Sequence, residues 1–71
     1  MPVVSGRKVV KALSKVGFEV LYQKGSHVNM KKDDRFVTVP LHRELDRGTL
    51  TAIIAESGMT KEEFVKLLWK H

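Results

Sequence analysis

The chain has 71 residues, 13 Lys+Arg against 8 Asp+Glu for a net charge of +5, and no cysteine. That length holds one domain with a small core, and the lack of cysteine excludes disulfide frameworks and thiolate metal sites. No apolar run is long enough to span a bilayer, and Met1-Pro2-Val3-Val4 is too short for the apolar part of a secretory signal, so a cytoplasmic protein is expected.

The charge is unevenly spread. Residues 1–32 carry seven bases and one acid, whereas residues 33–71 carry six bases and seven acids. A basic half suggests a polyanion partner, and it equally serves solubility; charge alone does not separate the two.

Ser5 is a candidate N-cap for a first helix over Gly6 to Val16. Val9, Val10, Leu13 and Val16 fall on one side of it, and Lys8, Lys11 and Lys15 fall nearly opposite. The lysine ridge fits a phosphate contact or an ordinary solvated helix face. Gly17 suits the left-handed position that ends a helix. Phe18 to Lys24 reads as a strand with Phe18, Val20 and Tyr22 on one apolar face. Lys24-Gly25-Ser26 makes a tight turn, with Gly25 supplying the positive φ.

His27 to Met30 follows as the second strand. If Val28 and Met30 face the core, His27 and Asn29 face the other side. Lys31-Lys32-Asp33-Asp34 is a polar turn, and Arg35 to Pro40 is a third strand with Val37 and Val39 on one face. Pro40, lacking a donor, ends it. After a connector, Leu41 to Leu45, Asp46 caps a second helix over Arg47 to Ser57 that Gly58 closes. Thr60-Lys61-Glu62-Glu63 reads as a capping box for a third helix burying Phe64, Leu67 and Leu68. The fold class is therefore α+β: a double-stranded-RNA-binding-like α-β-β-β-α order with a short C-terminal helix. Its three-stranded antiparallel sheet has helices on one face.

Three places compete for chemistry. His27, with Ser26 and Asn29 beside it, leaves a turn with its ring fixed in direction, and imidazole is the side chain whose ordinary pKa lies nearest neutrality. RNA carries its own nucleophile, the 2′-hydroxyl next to each phosphate, so a base that removes that proton permits attack on phosphorus. Lysines nearby offset the developing charge. By spacing alone, a surface histidine supporting the turn is the simpler reading. His42 is a second candidate, either for proton transfer or phosphate contact or as a cap on the strand end. No metal-ligand spacing links it to His27, and His71 is terminal. The third place is the helix pair around Gly58. Glu62 and Glu63 at the start of its last helix would face phosphates, which argues against helix-turn-helix binding of DNA. Trp69 and Val65 either complete the core edge or form a patch for a protein.

The ordered set Lys11-Ala12-Leu13, Val16-Gly17-Phe18, Lys24-Gly25-Ser26-His27, Val37-Thr38-Val39-Pro40 with His42, Gly48-Thr49-Leu50 with Ile53, Gly58-Met59-Thr60 and Glu63-Phe64 resembles the HicA-type toxins. These are also called the YcfA family, the ribonuclease half of a prokaryotic type II toxin-antitoxin pair. The resemblance covers nearly the whole chain. It implies metal-independent mRNA cleavage without a cofactor, a catalytic role for His27 and a positioning role for Gly25 and Ser26. It also implies a HicB-type antitoxin as partner, covering the active surface. His42 matches a frequent family feature and takes no catalytic role from the resemblance.

The groups expected to hold RNA are Lys8, Lys11, Lys15, Lys24, Ser26, Lys31 and Lys32. Duplex binders use a lysine cluster at the start of the second helix. Only Arg47 stands there, so single-stranded mRNA is the expected substrate. The alternatives are a non-catalytic RNA-binding module of the same fold, and a protein-binding domain that uses Trp69 and the open sheet face.

Overall fold

The computed structural model describes residues 4–69, so readings of Met1 to Val3, Lys70 and His71 lie outside the described residues. The chain runs α1 (Gly6–Lys15), β1 (Glu19–Lys24), β2 (His27–Lys32), β3 (Arg35–Pro40), α2 (Arg47–Ser57) and α3 (Lys61–Trp69). The strands form one antiparallel sheet in the order β1-β2-β3. This α+β arrangement is the expected one and is compatible with the double-stranded-RNA-binding layout.

Local chemistry accounts for the helix ends. The Ser5 hydroxyl accepts from the Lys8 amide at 3.2 Å, filling one of the donors a helix start leaves open. At the other end of α1, the Phe18 amide donates to the Leu13 carbonyl at 3.1 Å and the Gly17 amide to Ser14 at 3.2 Å. With Gly17 at φ 104°, this is a Schellman closure, and Phe18 and Leu13 are both buried beside it. The Asp46 carboxylate accepts from the Thr49 amide at 2.7 Å. Thr60 and Glu63 exchange reciprocal bonds of 2.9 and 3.1 Å, completing the capping box.

One face of the sheet is closed by the helices. Val28 and Met30 of β2 and Val37 and Val39 of β3 share a buried cluster with Val9, Ala12 and Leu13 of α1, Ile53 of α2, and Phe64 and Leu68 of α3. The alternation of β2 and β3 then puts His27, Lys31, Phe36 and Thr38 on the exposed side, with Asn29 half-buried between them.

The first strand departs from expectation. Simple alternation predicts Phe18, Val20 and Tyr22 on one apolar face, but every residue of β1 is exposed. Val20 pairs with Met30 while Tyr22 pairs with Asn29, so Leu21 is an extra residue that pairing skips. Such a bulge reverses the alternation. Val20 stays on the helix side and Tyr22 moves to the open face. Only Phe18, just before the strand, reaches the core.

The segment before α1 and the connector after β3 are also structured. The Leu45 amide donates to the Val4 carbonyl at 2.8 Å, and both side chains are buried. Gly6 is where α1 meets this connector: a Cβ there would collide with the carbonyl oxygen of Pro40. Among the described residues, no helix is long and apolar enough to cross a membrane.

Candidate active site

The site begins at the two-residue turn between β1 and β2. Gly25 has φ 58° and nothing near the place a Cβ would occupy, so its role is conformational. A positive φ at the first loop position is what a tight hairpin of this hand needs. The turn delivers His27 as the first residue of β2, paired with Lys24 on one side and Pro40 on the other. Its ring is exposed on the open sheet face. Beyond it on that face, the Thr38 hydroxyl donates to Asn29 Oδ1 at 2.9 Å, which ties β2 to β3.

A second histidine stands beside the first. The ring centroids of His27 and His42 are 6.4 Å apart, with their planes at 69°. Backbone bonds create this approach. The Leu41 amide donates to the Ser26 carbonyl at 2.6 Å, which fastens the connector to the hairpin turn. The Gly6 amide donates to the His42 carbonyl at 2.9 Å, which fastens it to the start of α1. The two strongest candidates of the sequence are thus one cluster. The sequence suggests a four-residue turn from Lys31 to Asp34, but β2 runs on to Lys32 and the loop is only Asp33-Asp34, so Lys32 opposes Arg35 and His27 opposes Pro40. His42 then lies just past the end of the ladder.

The electrostatic setting is mixed. Lys24 lies across from His27. Asp46 follows His42 on the connector, and its carboxyl sits below the usual carboxylate range. The Thr49 backbone and side-chain hydrogen bonds are the main cause, and the charge of His42 adds to it. Among the described residues, no cluster of three or more His, Cys, Asp or Glu is arranged to hold a metal.

The residues expected to grip RNA do not form one surface. Lys24, Ser26 and Lys31 lie with His27 around the open face, and the Lys31 ammonium is 5.4 Å from the centroid of the Phe36 ring. Lys32 points to the helix side at the far end of β2, next to Gly17. Lys11 and Lys15 are exposed on α1, across the sheet from His27. Lys8 is half-buried, with its ammonium 3.9 Å from the centroid of the Trp69 ring, a cation–π contact that joins α1 to α3. Trp69 is 37% exposed and carries this cation on its ring. Two aromatics stand on the open face, Tyr22 and Phe36, 58% and 61% exposed beside Asn29 and Lys31; the alternation of β3 places Phe36 there, opposite Val37 and Val39, but sequence reasoning misplaces the first, Tyr22. The bulge hides the first of these, because its effect on facing is invisible in the alternation. An apolar groove lined by Leu50, Ile54, Phe64 and Trp69 lies on the helical side, and neither histidine lines it.

Comparison with known proteins finds one family. The model described as HicA toxin of bacterial toxin-antitoxin matches residues 6–59. That span runs from the start of α1 to just beyond α2 and contains both histidines. No curated protein matches the chain.

Proposed function

This chain belongs to the HicA family of toxins from bacterial toxin-antitoxin pairs, and from that membership we propose that it is an endoribonuclease that cleaves mRNA. One observation carries the reading. His27 stands exposed at the exit of a tight turn, on the sheet face that no described helix covers, with Lys24 opposite. A neutral imidazole there takes the proton of a 2′-hydroxyl, a contribution worth about a hundred- to ten-thousand-fold in rate. Lys24, Ser26 and Lys31 hold the backbone at the site. Lys8, Lys11, Lys15 and Lys32 lie farther off and draw RNA in through the field of the basic half. The substrate is single-stranded, because the start of α2 offers Arg47 and no lysine cluster. The toxin acts in the cytoplasm, where mRNA is. A HicB-type antitoxin covers the open face and silences it.

The test is induced expression of the wild type and His27→Ala in a bacterial host, with purified protein assayed on single-stranded RNA in excess chelator. The wild type arrests growth and cleaves RNA; the variant does neither and unfolds at the same temperature. Equal arrest and equal RNA decay from both would overturn the role of His27.

Exposed Tyr22 and Phe36 favour one rival, a non-catalytic RNA-binding module, since unpaired bases stack on such rings. That reading predicts binding that weakens with salt, and no cleavage.

A further inference from the structure

We propose that His42 is the second proton-transfer group of this site, acting as general acid while His27 acts as general base on the same phosphodiester; this rests on the endoribonuclease reading above. Cleavage by a 2′-hydroxyl needs two proton movements at opposite ends of an in-line displacement. One proton leaves the attacking oxygen and another reaches the departing one. A single imidazole on one side of the phosphorus does not reach both at once. Two rings whose centres are 6.4 Å apart leave room for one phosphate between them, each within about 3 Å hydrogen-bond reach of an oxygen.

Both rings are exposed on the same edge of the molecule. Among the described residues, neither imidazole is engaged in a side-chain hydrogen bond, so their nitrogens remain available. The simpler role for His42, capping the end of β3, is already filled by main chain. Leu41 bonds to Ser26, and the His42 carbonyl takes the Gly6 amide. Those same bonds hold the ring to the hairpin and to α1, which is the positioning that two-group catalysis demands.

The surroundings of the two rings differ. Lys24 faces His27 across the β1–β2 ladder, Arg43 follows His42 in the chain, and Asp46 interacts electrostatically with His42 from the cap of α2. His27, at the exit of the turn, is the base of the pair, and His42, on the connector, is the acid. The step balances. His27 takes the 2′-hydroxyl proton, and the 2′-oxygen forms a bond to phosphorus. The bond from phosphorus to the 5′-oxygen breaks, and that oxygen keeps the electron pair and takes a proton from His42. The products are a 2′,3′-cyclic phosphate and a 5′-hydroxyl, and solvent exchange restores both rings.

The experiment uses the purified full chain on a short single-stranded RNA and on its analogue with sulfur in place of the bridging 5′-oxygen. A thiolate leaves without a proton, so it does not need the acid. His42→Ala and His42→Gln are expected to slow the ordinary substrate about a hundred- to ten-thousand-fold and to lose the alkaline limb of the pH profile. On the sulfur analogue both regain near-wild-type rates, while His27→Ala stays slow. Wild-type cleavage with undiminished His42 variants would overturn this inference and leave the endoribonuclease reading standing. Slowed variants that the analogue does not rescue would overturn the acid role in the same way. No cleavage by the wild type would overturn the enzyme reading itself, and this inference with it.

Discussion

The amide of Gly6 donates to the carbonyl of His42 at 2.9 Å, so the first residue of α1 and the histidine of the connector are held together by main chain. The approach is close enough that a Cβ on Gly6 would meet the Pro40 carbonyl oxygen. Gly6→Ala is therefore expected to destabilise the fold by about 1–3 kcal/mol, the usual cost of overfilling a packed interior, and to displace His42 from His27. Chemical denaturation and RNA cleavage measured together check this. A variant as stable and as active as the wild type would show that the backbone yields there at no cost.

Two phenylalanines separate core from surface. Phe64 has no exposed surface, whereas Phe36 is 61% exposed on the open sheet face. Phe64→Ala should cost about 3–5 kcal/mol, enough to unfold a domain this small or nearly so. Phe36→Ala should stay within about 0.5 kcal/mol, and it should weaken RNA binding if bases stack there. Urea titrations of the two variants, with RNA affinity for the second, make the comparison.

Acid should weaken the chain partly through two helix caps. The Asp46 carboxyl is lowered by its bonds from Thr49, and that of Glu63 by its bonds from Thr60, with Lys66 adding to the latter. A carboxyl lowered in the folded state binds fewer protons there than in the unfolded chain. Its stabilisation is present above the unfolded carboxylate range and is lost as pH falls through the folded value. Asp46→Asn with Glu63→Gln keeps capping groups and removes the titration. Melting temperatures followed from about pH 7 to about pH 3 should fall less steeply for the double variant. Parallel curves would place the acid sensitivity elsewhere.

RNA affinity should depend on where each lysine sits. Lys24 and Lys31 are on the face that carries His27, while Lys11 is on the far side of the helical layer. Removing one cation that neutralises a phosphate lowers the salt slope of single-strand binding by roughly 0.7. Lys24→Ala and Lys31→Ala should each show about that change, and Lys11→Ala a smaller one. Binding isotherms across a salt series decide it. An equal effect of all three would mean that RNA wraps the whole molecule.

The sequence by itself determined the ends and turns. Ser5, Gly17, Asp46, Gly58 and the Thr60–Glu63 pair stop or start helices through bonds to residues a few places away. Partners that close need no tertiary context to be read. The same holds for the facing of β2 and β3, where strict alternation buried Val28, Met30, Val37 and Val39 and left His27 outside. What only the tertiary structure decided depends on partners far apart in the chain. The bulge at Leu21 is a feature of the pairing between β1 and β2, and it sends Tyr22 to the open face. Lys8 meets Trp69 only when α1 and α3 pack. His42 comes beside His27 only because Ser26 and Gly6 both bond to the connector that carries it. Local hydrogen bonds are set by spacing along the chain, whereas these approaches are set by which surfaces the buried core brings together.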